Sequence, residues 1–235
     1  MLKAFLLTVM LLVTTTADSM GQKETPELMR TIDHLVYAAP DLDRAVDEIE
    51  RRTGVRASPG GQHPGRGTRN ALLALGPTSY LEIIGPDPDQ PPPQIPRQFG
   101  IDGLKEPRLA TWVAKGTDLV RLREAAVGNG IQLGAVVSGR RNRPDGVALS
   151  WRATDSRAMP ADGLIPFFID WGESPHPSTT SPRGVTLVEL RAEHPDAERV
   201  QQMLGKLGLN LQVRRGSKPA LIAILSTPRG QVELR

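Results

Sequence analysis

Three times along this chain a short apolar run leads to an aspartate, an amphipathic stretch follows, and a glycine with an apolar neighbour closes it. The runs are Ile32 to Ala38, Leu109 to Ala114 and Val185 to Leu190; the aspartates are Asp41, Asp118 and Asp196. The closing pairs Gly54-Val55, Gly130-Ile131 and Gly208-Leu209 recur at intervals of roughly 76 to 78 residues, so one structural unit is written out repeatedly.

Each aspartate can accept from the free N–H groups of a first helical turn, and each glycine can take the left-handed conformation that ends the last one. Between them Leu42, Ala45, Val46 and Ile49 recur at helical spacing, as do Leu119, Leu122 and Ala126, with Val200, Leu204 and Leu207 tracing a similar stripe. Three strand-like runs follow each helix. In the first unit they are Val55 to Ser58, Ala71 to Leu75 and Tyr80 to Ile84; in the second, Ala135 to Val137, Val147 to Arg152 and Leu164 to Trp171; in the third, Leu211 to Arg214, Ala220 to Leu225 and Gln231 to Leu234. The predicted unit is βαβββ, giving an α+β chain.

Unit one is expected over residues 31–85, unit two over 107–173 and unit three over 184–235. The proline-rich segment 86–106 and the segment 174–183 read as linkers, because prolines lack the N–H that a central strand needs. Each unit alone is too small for a good core, so the three should pack together. At the N-terminus Lys3 precedes the apolar run Ala4 to Val13 and the small residues Thr15 and Ala17. That order of regions predicts a signal peptide over 1–17 and export, with 18–30 as a linker; a start at Met20 or Met29 would instead make the protein cytoplasmic. The run is too short for a stable membrane span. With no cysteine, disulfides and thiolate sites are excluded. The net charge of +3 is small, and the cluster Arg140, Arg141, Arg143 has no interleaved aromatics, so nucleic acid is not expected and the cluster reads as a solvated loop.

On alternating strands His34 shares a face with Ile32 and Val36, and Glu82 shares one with Tyr80 and Ile84. Polar groups among apolar neighbours need a partner or a cation. In the glycine-rich segment Gly60 to Asn70, His63 is a candidate proton carrier and Arg69 and Asn70 are candidate substrate donors. Asp170 and Trp171 end a very apolar strand and would give a ligand a carboxylate and an aromatic wall, with His176 just beyond.

The segment from Gly60 to Gly76, Tyr80-Leu-Glu82-Ile-Ile-Gly-Pro, Pro166-Phe-Phe-Ile-Asp170-Trp171-Gly with His176-Pro177, and the closing Thr227 to Leu234 resemble the glyoxalase-like branch of the vicinal oxygen chelate superfamily. The resemblance implies βαβββ modules paired into a cupped, incomplete barrel. It also implies that His34 and Glu82, on first and last strands, are metal ligands for a divalent Zn, Ni, Mn or Fe. Counting along each unit, His34 aligns with Thr111 and Glu189, and Glu82 with Phe168 and Glu233. Unit two therefore lacks ligands, and unit three, Asp170 or His176 would have to complete the shell.

Two functions follow from the resemblance. One is a metal-dependent lyase or isomerase acting on a small oxygenated metabolite through an enediolate-type intermediate, with His63 or Asp170 moving the proton. The other is a small-molecule binder of the bleomycin-resistance type, without chemistry. The odd third unit leaves a homodimer open.

Overall fold

The computed structural model describes residues 27–235, and the signal-like segment 1–17 lies outside the described residues. The three capped helices form as the aspartates dictate. Helix α2 (Leu42–Thr53) starts at Asp41, whose carboxylate accepts from Arg44 N, and ends at Gly54 with φ 80°. Helix α3 (Leu119–Gly128) is capped by Asp118 and α4 (Ala197–Lys206) by Asp196, each accepting from the N–H three residues on. On α2 the buried face is Leu42, Ala45, Val46 and Ile49. Each large apolar side chain so buried contributes about 1.5–3 kcal/mol, which is what fixes the helix to the sheet.

In the first unit α2 follows β1 (Ile32–Ala38) and precedes β2 (Ser58–His63), β3 (Thr68–Gly76) and β4 (Ser79–Pro86). In the second, α3 follows β5 (Arg108–Lys115) and precedes β6 (Val136–Asn142), β7 (Ala148–Thr154) and β8 (Phe167–Asp170). These eight strands form one sheet in the order β2-β3-β4-β1-β5-β8-β7-β6. Within each unit the first strand runs parallel to the last, and the units join through antiparallel β1 and β5, with Val36 opposite Thr111. The sheet curls until β2 approaches β6, where Arg141 Nη1 donates to Gly60 O and closes the cup.

The third unit keeps the element order but not the pairing. Its strands β9 (Thr186–His194), β10 (Gln212–Arg215), β11 (Ala220–Thr227) and β12 (Gly230–Leu234) form a separate sheet in the order β10-β9-β11-β12. Here α4 returns the chain to the strand beside β9 as an ordinary βαβ crossover. With β10 on one edge of β9 and β11 on the other, no edge of β9 is free to join a second unit. Glu189 and Glu233 lie on this separate sheet, paired with Arg191. They therefore stand apart from His34 and Glu82.

The segments read as linkers are structural. Within 18–30, the described part contains the start of the short helix α1 (Glu27–Thr31). Segment 86–106 carries a 3₁₀ turn, Gln98–Gly103, that buries Gln98, Phe99 and Ile101. Segment 174–183 carries a second, Pro177–Thr179, tied down by Ser178 Oγ donating to Pro77 O at 2.8 Å. Apolar residues divide between a large core on the helix side, holding Leu35, Ile49, Leu73 and Trp112, and a smaller cluster inside the cup, holding Val36, Ile84, Phe99, Val113 and Ile169. Among the described residues no helix is long and apolar enough to cross a membrane.

Candidate active site

The cup gathers its polar side chains at one end. Tyr80, Glu82 and Ile84 face inward along β4, as strand alternation requires. On β1 the alternation is broken: the register to β5 shifts between Ile32 and His34, a bulge at Asp33. The bulge turns Ile32 into the helix-side core, so it does not share the face of His34 and Val36. It also lets two consecutive side chains meet, with His34 Nδ1 2.7 Å from Asp33 Oδ1.

Asp33 is buried and gathers three donors. Besides His34, Trp171 Nε1 donates at 3.2 Å and His176 Nε2 lies at 3.2 Å. Burial pushes its carboxyl up, but the hydrogen bonds from His176 and His34 prevail and hold it well below the usual carboxylate range. The ionised Asp33 accepts a hydrogen bond from Nδ1–H of His34, and that choice of tautomer leaves the Nε2 lone pair facing the cup. Tyr80 stacks on the imidazole with ring centres 4.5 Å apart. Burial, then the charges of Asp33 and Glu82, push the Tyr80 hydroxyl well above its ordinary pKa and keep it neutral.

Glu82 Oε2 lies 3.7 Å from His34 Nε2, and Oε1 accepts from Asn70 Nδ2 at 2.6 Å. The second Asn70 N–H reaches His63 Nε2 at 3.3 Å, while His63 Nδ1 lies 3.0 Å from Thr68 Oγ1. The carboxylate only accepts, so the amide must present nitrogen to it, leaving the buried Asn70 Oδ1 without a partner. Gly60 makes room for this side chain: a Cβ there would come within 2.3 Å of Asn70 Oδ1. Burial is the main cause that lowers His63 to about 4, with Glu82 opposing and Arg141 and Arg66 assisting. His63 is thus a neutral imidazole whose Nε2 lone pair is occupied.

The other candidates fall on both sides of the sheet. Asp170 does not face the cup; it accepts from Gly172 N at 2.9 Å at the end of β8. Arg69 faces the helix side and pairs with Asp43 on α2 at 2.8 Å. Trp171 lines the cup, and His176 stands behind it through Asp33. Phe167, opposite Val113 in the register that places Glu82 opposite Val36, is the counterpart of Glu82; Phe168 belongs to the helix-side core.

Arg141 is the main residue the sequence did not flag. The arginine cluster is not a solvated loop but part of β6, where alternation sends Arg140 outward and leaves Arg141 4% exposed, lining the cup with Val137. No carboxylate lies within ion-pair distance of it among the described residues, and burial lowers its pKa, with Tyr80 and Glu82 opposing. Arg141 lines a cavity of about 70 Å³ walled by Phe99, Phe167, Trp151 and Trp171.

His34 and Glu82 are two suitable metal donors, but the facing unit adds none. Phe167 is apolar and the Thr111 hydroxyl donates to Gly163 O at 2.7 Å; within unit one, His63 has spent its lone pair on Asn70. Among the described residues no group of three His, Cys, Asp or Glu side chains is disposed to hold a metal ion. The donor set as arranged does not fit a divalent cation.

Paired βαβββ units that curl into a cup, with polar groups from first and last strands inside it, define the vicinal oxygen chelate fold. The chain belongs to the glyoxalase-like domain family, whose model matches residues 32–208. The closing Thr227 to Leu234 segment lies outside that match. No curated protein matches the sequence. A hypothetical protein from Staphylococcus aureus shares the fold at TM-score 0.59 and 13% identity, over 86% of this chain and 83% of its own. Methylmalonyl-CoA epimerase from Mycobacterium tuberculosis aligns at TM-score 0.41 and 17% identity, over 63% of this chain and 92% of its own. A hypothetical protein from Bacillus halodurans aligns at TM-score 0.41 and 17% identity, over 61% and 96%.

Proposed function

We propose that this chain is a lyase or isomerase that removes a proton from carbon beside a carbonyl or carboxylate of a small oxygenated anion. The observation that carries the reading is the Asp33–His34 pair, which leaves His34 Nε2 as a base aimed into a closed cup opposite the uncompensated Arg141 guanidinium. His34 Nε2 takes the proton, and the electron pair left on carbon moves into the adjacent C=O to give an enediolate-type oxyanion. Arg141 stabilises that oxygen, where a charge-assisted bond in a water-poor site counts for most. The imidazolium beside Glu82 then returns the proton to a neighbouring atom. Asp33 is a positioning residue, and Asn70 and His63 hold Glu82. This assigns proton transfer to His34 in place of His63 or Asp170, and no step uses a metal.

The test is NMR of carbon-bound hydrogen exchange in D2O with a panel of small 2-oxo and 2-hydroxy acids. The native protein exchanges one of them, chelator leaves the rate unchanged, and His34→Gln lowers it by about 10²–10⁴-fold. Asp33→Asn lowers it as well, with KM little changed. A rate that falls on chelation and returns with one metal would show that a cation does the polarising.

The absence of metal-ligating side chains in the cup from unit two among the described residues, with Phe167 standing where unit one has Glu82, supports a second reading, sequestration without chemistry. Saturable binding of a panel member with no exchange would establish it.

A further inference from the structure

Two cavities share one wall. Outside the narrow cup lies an open antechamber of about 780 Å³, and Gln98, Phe99 and Ser156 line both. The wall is one side chain thick, with Gln98 Nε2 donating to Ser156 Oγ at 2.6 Å and the Phe99 ring stacked 6.3 Å from Phe167. The only non-glycine residues with left-handed backbone among those described are Phe99, Ala161 and Asp162, with φ of 62°, 50° and 56°. Phe99 lies in the 3₁₀ turn Gln98–Gly103, and Ala161 and Asp162 lie in another, Pro160–Gly163, both beside this antechamber. Such conformations cost about 1–3 kcal/mol each and cluster where a site must be shaped.

The antechamber is cationic. Arg97 and Arg157 have carboxylate partners in Asp102 and Asp155, but Arg108 and Lys218 have none among the described residues. The lining carboxylate, Asp162, is engaged by His194 at 3.2 Å. Arg108 opens β5, and Lys218 lies in the turn before β11, so the third unit completes the rim.

We infer that the antechamber is a subsite for the polyanionic tail of a substrate whose oxygenated head reacts in the cup. Arg108 and Lys218 hold the tail, and the substrate spans the thin Gln98–Phe99–Ser156 wall between the two. The substrate class is thus a small oxygenated head joined to a phosphate- or polycarboxylate-bearing tail. The inference rests on the cup being a substrate site, but its test does not require turnover.

Calorimetric titration of the full chain with inorganic pyrophosphate and with tricarballylate tests it, the two arms separating phosphate from carboxylate tails. One of them binds, and the R108A/K218A double variant weakens that binding at least about tenfold, whereas H34A and R141M, which alter only the cup, change it less than about twofold. Both substituted side chains are exposed, so an unchanged melting temperature confirms the fold of the double variant. Equal affinity in the double variant, or no binding of either anion at millimolar concentration, overturns the subsite. Retained, Arg108-dependent binding in a protein that exchanges no carbon-bound hydrogen overturns the proton-transfer reading and leaves the subsite standing.

Discussion

His63 stores its contribution to stability as a neutral ring. Its folded pKa of about 4 lies below the ordinary 6.5, so between those values the unfolded chain binds more protons, and stability falls as pH drops from 6.5 towards 4. The full difference is on the order of 3 kcal/mol. Urea unfolding at pH 7 and pH 4.5 should show a loss in the native protein that is clearly smaller in His63→Gln; equal losses would remove His63 from the account. Asp33 acts in the same direction at lower pH, since its depressed carboxyl adds stability that is lost only as pH falls below its ordinary 3.8. At this scale the sequence was informative about single side chains. His34, Glu82, His63, Asn70 and Trp171 all reach the cup or its wall. Plain alternation puts Asp33 on the face opposite His34, and only the bulge in β1 brings the two together.

At the scale of elements, the seam between β2 and β6 decides whether the sheet is an open surface or a closed cup. Gly61 has φ 139°, and a Cβ there would come within 2.5 Å of the backbone oxygen of Asn142. Gly61→Val should therefore cost about 1–3 kcal/mol, through strain and a forced parting of the strands, and the melting temperature should drop. Cleft tryptophan fluorescence should become more open to acrylamide quenching in the same variant; an unchanged melting temperature would mean that the seam gives way freely. The glycines of this segment serve a hairpin and the site together. A strand signal was legible in the alternation of Val137, Gly139 and Arg141, and Gly139 fits it, since a Cβ there would strike the Trp151 ring. The neighbouring arginines hid it, because Arg140 and Arg143 do point away from the cup.

For the whole molecule, the third unit is welded to the first two. Leu109 N donates to Arg235 O at 2.8 Å, Arg52 Nη2 donates to Glu233 O and Arg229 Nη1 to Arg51 O. Leu187, Leu190, Leu221, Leu225 and Leu234 share one core with Ile49 and Leu73. Each such leucine contributes about 1.5–3 kcal/mol, so a chain ending at residue 183 should lose cooperative folding. Calorimetry should give one transition for the full chain, and a folded 27–183 fragment of undiminished melting temperature would show the third unit to be an appendage.

What the sequence by itself determined is local: the aspartate caps, the glycine stops, the alternation that places Tyr80, Glu82 and Ile84 on one face, and the βαβββ order. Those features depend on neighbours a few residues apart and on fixed backbone geometry. Tertiary structure alone decided that units one and two pair while the third goes elsewhere, that Phe99 in a proline-rich segment walls the site, and that Arg141 and Glu82 line the same cup. These depend on strand pairings between residues tens of positions apart, whose partners are selected by the burial of whole faces and by which sheet edges remain free, and no short stretch of sequence encodes that choice.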